Sequence, residues 1–90
     1  MARPVLLNLT ATATEATSTK QGYGIILLKN DDTTNDLIIA FDKSTTNSEN
    51  DYLVLKAGES IENWDVPVWS TLYYKSSTGS VAFRLYSQLR

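Results

Sequence analysis

Glu62-Asn63-Trp64-Asp65-Val66-Pro67-Val68-Trp69-Ser70-Thr71-Leu72 contains both tryptophans of a 90-residue chain. Pro67 sits between Val66 and Val68 and has no N–H to give to a β-ladder, so within a sheet it belongs at an edge, a bulge or a turn. The stretch therefore predicts a bend or change of register between two strands. On its N-terminal side Ser60 to Trp64 reads as a short strand, and on its C-terminal side Val68 to Lys75 reads as another.

The same pattern continues outward in both directions. After Lys75, Ser76-Ser77-Thr78-Gly79 reads as a compact hairpin connection into a last strand, Val81 to Gln88. Before Ser60, Lys56-Ala57-Gly58-Glu59 reads as a tight turn, with glycine supplying the positive φ, and Tyr52 to Leu55 as the strand ahead of it. Lys43 to Asn50 is entirely polar and predicts a mobile surface loop. Asp36 to Asp42 predicts a strand with Leu37, Ile39 and Phe41 facing inward. Ile25 to Lys29 is a continuous apolar run, which suits a central strand covered on both faces. Thr17 to Gln21 reads as loop. From residue 4 to 16 the chain alternates strictly, with Val5, Leu7, Leu9, Ala11 and Ala13 on one face and Leu6, Asn8, Thr10, Thr12 and Thr14 on the other.

No stretch of ten residues shows the 3.6-residue period of an amphipathic helix. The fold class expected is all-β: a single antiparallel β-sandwich spanning residues 1–90, jelly-roll-like or immunoglobulin-like, of about seven to eight strands. Residues 1–16 form an extended N-terminal arm or strand of that domain. An arm could pair with the sheet edge of a neighbouring subunit.

Composition narrows the function. A chain this short buries only roughly 60% of its unfolded surface. With no cysteine, it has no disulfide or thiolate–metal site to reinforce so thin a core, which favours a homo-oligomer. Cysteine and histidine are both absent, which removes the usual general base, the commonest zinc ligands and the thiol nucleophile. No enzyme activity, catalytic residue or cofactor is expected. The opening residues lack the apolar run of a secretory signal, and no stretch is apolar enough for a membrane span. Net charge is −2, but it is unevenly placed: Asp31 to Asp65 carries nine acids against Lys43 and Lys56, while the flanks carry six bases against Glu15. No basic stripe interleaved with aromatics marks a nucleic-acid surface.

Three clusters were weighed for ligands. Gly22 and Gly24 begin like a phosphate loop, but Leu27 stands where a third glycine is needed and no helix follows, so backbone bending is the better reading. Asp31, Asp32, Asn35 and Asp36, and separately Glu49, Asn50 and Asp51, offer oxygens to calcium, though Asx residues closing turns account for both without a metal. The aromatics offer more. Counting parity back along Val68 to Lys75 puts Val68, Leu72 and Tyr74 in the core and Trp69 and Tyr73 outside. Outward aromatics make a subunit interface, a stacking platform for a sugar, or a structural pair buried in a second layer. The interface candidates are Trp64, Trp69 and Tyr73, with Val5, Leu7 and Leu9 of the N-terminal strand for partner pairing.

Three segments also carry a resemblance: Ile25-Ile26-Leu27-Leu28-Lys29-Asn30, the run Asp51-Tyr52-Leu53-Val54-Leu55-Lys56-Ala57-Gly58-Glu59-Ser60, and Val66 to Arg84. Over about two-thirds of its length the chain resembles small structural proteins of tailed bacteriophages. The resemblance implies a virion component, assembled in the host cytoplasm, that acts by adhesion. On that expectation it is a capsid decoration or cement protein, a homotrimer bound to other virion proteins and above all to the major capsid protein. The alternatives are a small tail or connector subunit, and a carbohydrate-binding module with an exposed aromatic platform.

Overall fold

The computed structural model describes residues 3–19, 23–65 and 69–89. Eight strands run in chain order: β1 (Arg3–Ala11), β2 (Ala16–Ser18), β3 (Tyr23–Asn30), β4 (Leu37–Phe41), β5 (Leu53–Leu55), β6 (Ser60–Trp64), β7 (Leu72–Ser76) and β8 (Val81–Leu89). They form two four-stranded antiparallel sheets, the first ordered β1-β8-β3-β6 and the second β2-β7-β4-β5. First pairs with last, second with seventh, third with sixth and fourth with fifth, as in a long hairpin rolled up on itself. This is jelly-roll connectivity, which decides between the two sandwiches the sequence allows.

The roll explains where local reading misplaced the chain. Only β4 and β5 are sequential neighbours in one sheet; every other connection changes sheet. The turn after Ser76 is therefore not a hairpin: β7 lies in the second sheet and β8 in the first. At this corner Ser76 N donates to Thr12 O (2.8 Å) and Ser77 N to Asp36 O (3.0 Å), bonds to distant segments that no local turn signal announces. Likewise Thr17 to Gln21 is not wholly loop, because Ala16–Ser18 pairs with Tyr74, Tyr73 and Leu72 of β7. The N-terminal segment is a strand of the chain's own first sheet, with Arg3–Ala11 paired along its length to β8.

The core lies between the sheets. Leu7, Ala11, Ile25, Leu28, Val81, Phe83 and Leu85 enter it from the first sheet, Leu37, Ile39, Leu55, Leu72 and Tyr74 from the second, with Tyr74 edge-on to Phe83 at 5.3 Å. The period-two alternation of β1, β7 and β8 sets this directly. β3 departs from it: Gly24 has φ +62° and the register against β8 shifts twice between Tyr23 and Leu27, so Ile25 and Leu28 both face inward. A bulge of this kind needs an unhindered residue, and Gly24 supplies it. β3 is central in its sheet as expected, but only one of its faces is covered by the other layer.

Asn30, at the end of β3, is fully buried and fully used. Its Nδ2 donates to Asn35 O (2.9 Å) and Leu55 O (3.0 Å), its Oδ1 accepts from Asp32 N, and its backbone N–H reaches Glu59 O. One side chain thus ties the first sheet to the end of β5 and closes the Asp-rich turn between β3 and β4.

Candidate interaction surfaces

The two sheets present unlike outer faces. On the first, inward Val81, Phe83, Leu85 and Ser87 leave Ala82, Arg84 and Tyr86 outside, and the register sets Leu6 opposite Tyr86, Tyr86 opposite Leu27 and Leu27 opposite Glu62. An apolar row, Leu6–Tyr86–Leu27, thus crosses three strands. It ends at the β1 edge, where Leu6 is 58% exposed, the most of any large apolar side chain described. The next row is polar: Asn8, Arg84, Lys29 and Ser60. Within it Arg84 grips Asp31 with two parallel bonds of 2.9 and 3.0 Å, a bidentate geometry that guanidinium and carboxylate favour.

On the second sheet the outward residues are Thr17, Tyr73 and Ala40 in one row and Lys75, Ile38 and Val54 in the next. Here the chain covers itself. The segment between β4 and β5 folds back over the face, burying Ala40 and Thr45, and leaves a groove of about 240 Å³ lined by Ile38, Thr45, Thr46, Asn47, Asn50, Tyr52 and Lys75. Sequence reading made this segment a mobile loop; the structure ties it down. Glu15 accepts from Thr45 N (2.7 Å), Thr45 Oγ1 (3.0 Å) and Ser44 Oγ (2.9 Å). Asn47 Oδ1 accepts from Glu49 N and Asp51 N, and Lys43 pairs with Glu49 and Asp51. Partial burial pushes the Glu15 carboxyl up, but the bonds from Thr45 and Ser44, with Lys75 nearby, outweigh it and hold the pKa below its ordinary value. Nothing in the sequence around Glu15 signals a partner some thirty residues away.

The expected interface residues do not gather on one surface. Trp69 is 2% exposed and packs on Phe41 with ring centres 4.8 Å apart. The parity count failed because β7 begins only at Leu72. Before it, Asp42 Oδ1 accepts from Ser70 N and Thr71 N, bending the chain so that Trp69 turns inward. Its indole N–H has no hydrogen-bond partner among the described residues. Trp64, 36% exposed, lies edge-on to Phe41 with ring centres 6.1 Å apart. Of the two aromatics expected to face outward together, Trp69 is thus buried in the core. Tyr73 does face outward, half-buried, on the second sheet. Leu7 is buried and Leu9 half-buried, both on the core side of β1, because the face that alternates with Asn8 and Thr10 is the inner one. The Val5 side chain and the bend at Pro67 lie outside the described residues. Of the carboxylates offered to calcium, four are engaged within the chain: Asp32 Oδ2 accepts from Thr34 N and Asn35 N, Asp31 holds Arg84, and Glu49 and Asp51 hold Lys43.

No family model and no curated protein matches the chain. Among solved structures it is similar to a chain from Bacillus endospore appendages, which form a novel family of disulfide-linked pili. The likeness has a TM-score of 0.61 and 23% identity, and spans 100% of this chain and 88% of that one. At that identity it speaks for the fold: the two share a small β-sandwich.

Proposed function

We propose that this chain is a structural subunit that acts by packing against other protein subunits, without chemistry of its own. The observation that carries the reading is the uncovered apolar row Leu6–Tyr86–Leu27 on the first sheet. A domain with a thin core gains by burying such a row, and specific interfaces are built around aromatic and aliphatic anchors of this kind. The resemblance to tailed-phage structural proteins supports placing the subunit on a particle, as a capsid decoration or cement protein or a tail or connector subunit. The pilus-forming neighbour supports the same class of work in an extracellular appendage. The disulfide linkage named for those pili has no counterpart here, since these 90 residues hold no cysteine. Cohesion between copies of this chain therefore rests on non-covalent burial.

Light scattering of the purified protein over a dilution series tests the reading. Association into a multiple of the 10.0 kDa chain that falls apart on dilution is expected. A monomer at every concentration, even with candidate particle proteins added, would overturn it.

A second reading rests on the groove of the second sheet, where Tyr52 offers an exposed ring beside Asn50 and Lys75. These groups suit a small polyhydroxy ligand such as a single sugar residue. Titration calorimetry with glycan fragments, in the protein and in Tyr52→Ala, tests it: saturable binding lost in the variant supports this reading, and no binding ends it.

A further inference from the structure

The two sheets have four edge strands, and three of them are guarded. β2 and β5 have three residues each, and β6, of five, carries Glu62 on its outer face and Asn63 at φ 54°. Short length, charge and backbone irregularity are the ordinary devices that keep a sheet edge from adding a foreign strand. β1 carries such devices only at its start, in Arg3 and Pro4. It is nine residues long, pairs with β8 on one side, and has no strand on its other side among the described residues. From Val5 to Thr14 the sequence contains no charged residue, no glycine and no proline.

Resting on the reading of the chain as a packing subunit, we infer that its partner at this edge is a second copy of itself, joined by antiparallel pairing of β1 with β1. A second copy fits for three reasons. Antiparallel strands related by a two-fold axis satisfy each other's free N–H and C=O groups with one self-complementary surface. Directly opposed residues in such a pair lie on the same face, so the even-numbered residues Leu6, Asn8 and Thr10 meet only one another, and no like charges are opposed. With the pair centred on Asn8, Leu6 of each copy lies opposite Thr10 of the other, so pairing covers part of the most exposed apolar side chain and makes one eight-stranded sheet. The contact is isologous and closes at two copies, in place of the trimer that the phage resemblance implies.

Single cysteines test this cleanly in a chain that has none. Asn8→Cys and Thr10→Cys, both at exposed positions of β1, are treated with a short bis-maleimide, beside Ser48→Cys in the loop of the second sheet as control. The expected result is at least a tenfold excess of covalent dimer for the β1 variants over the control. Adding Thr10→Lys to Asn8→Cys should remove that excess by placing like charges near the pair. If the protein associates in solution but the β1 cysteines link no better than Ser48→Cys, the pairing is wrong and the packing function stands. If no association is found at any concentration, alone or with candidate particle proteins added, both fall.

Discussion

The two sheets are built alike, four strands each in matching order, yet one is roofed by its own chain and the other is bare. The second sheet spends the segment between β4 and β5 on covering its outer face and fastens it with Glu15. The first leaves Leu6 exposed, with Leu27 and Tyr86 half-buried in the same row, and a long edge without a partner strand among the described residues. A small domain has little apolar surface to spare, so an asymmetry of this kind separates the face that finishes the fold from the face that meets something else.

The largest effects will come from what the two sheets share. Trp69→Ala empties a buried aromatic site against Phe41 and should cost about 3–5 kcal/mol of stability, read from the shift in a urea unfolding midpoint. Trp69→Phe should cost much less, because it also removes an indole N–H that has no hydrogen-bond partner among the described residues. Asn30→Ala breaks the tie between the sheets and strips partners from two carbonyls, Asn35 O and Leu55 O, and from Asp32 N–H, for about 2–4 kcal/mol in the same assay. If Asn30→Ala proves neutral, the sheets are joined by apolar packing alone.

Smaller changes would make the second sheet resemble the first. Glu15→Gln keeps the shape of the clamp and removes its charge, at a cost of about 1–2 kcal/mol, and should open the loop enough to raise binding of an apolar dye over Ile38 and Ala40. The wild-type clamp should itself open in acid. A carboxyl whose folded pKa is lowered stabilises the fold above its unfolded pKa and loses that contribution as pH falls through the folded value. For Glu15 the window lies below the ordinary glutamate pKa of about 4.3. Asp32 is lowered as well, by N–H bonds from Asn35 and Thr34, so the comparison to make is wild type against Glu15→Gln: only the wild type should gain dye binding as the pH falls below about 4.3.

Much of this could be read from the chain. The boundaries of β6 came out as Ser60–Trp64, because Gly58 at φ +77° and the alternation after it are local signals. The inner face of β4 followed from period two, whereas in β1 period two separates the faces without saying which one the core covers, and Leu7 and Leu9, read as partner contacts, lie on the covered one. What local pattern does not carry is the order in which a rolled hairpin returns: β2 exists only because β7 lies beside it, and the turn after Ser76 looks like a hairpin until Thr12 and Asp36 bind it. Trp69 was placed outside because parity was counted through a bend that Asp42 makes from the far side. For the candidate surface one signal was present and went unweighed. Leu6 is the single large apolar residue among Asn8, Thr10, Thr12 and Thr14 on the polar side of the first strand. Tyr86 and Leu27 join it only through the register of three strands.

The most direct measurement sets one exposed residue on each sheet against the other. Leu6 and Val54 are both large, apolar and on outer faces at sheet edges, 58% and 42% exposed, so lysine at either position should change stability by no more than about 0.5 kcal/mol. Sedimentation equilibrium of Leu6→Lys and Val54→Lys beside the wild type then compares the two faces. The uncovered first sheet as the interaction face predicts that Leu6→Lys weakens self-association at least tenfold and Val54→Lys leaves it as it was. Equal effects, or a larger one from Val54→Lys, would contradict it.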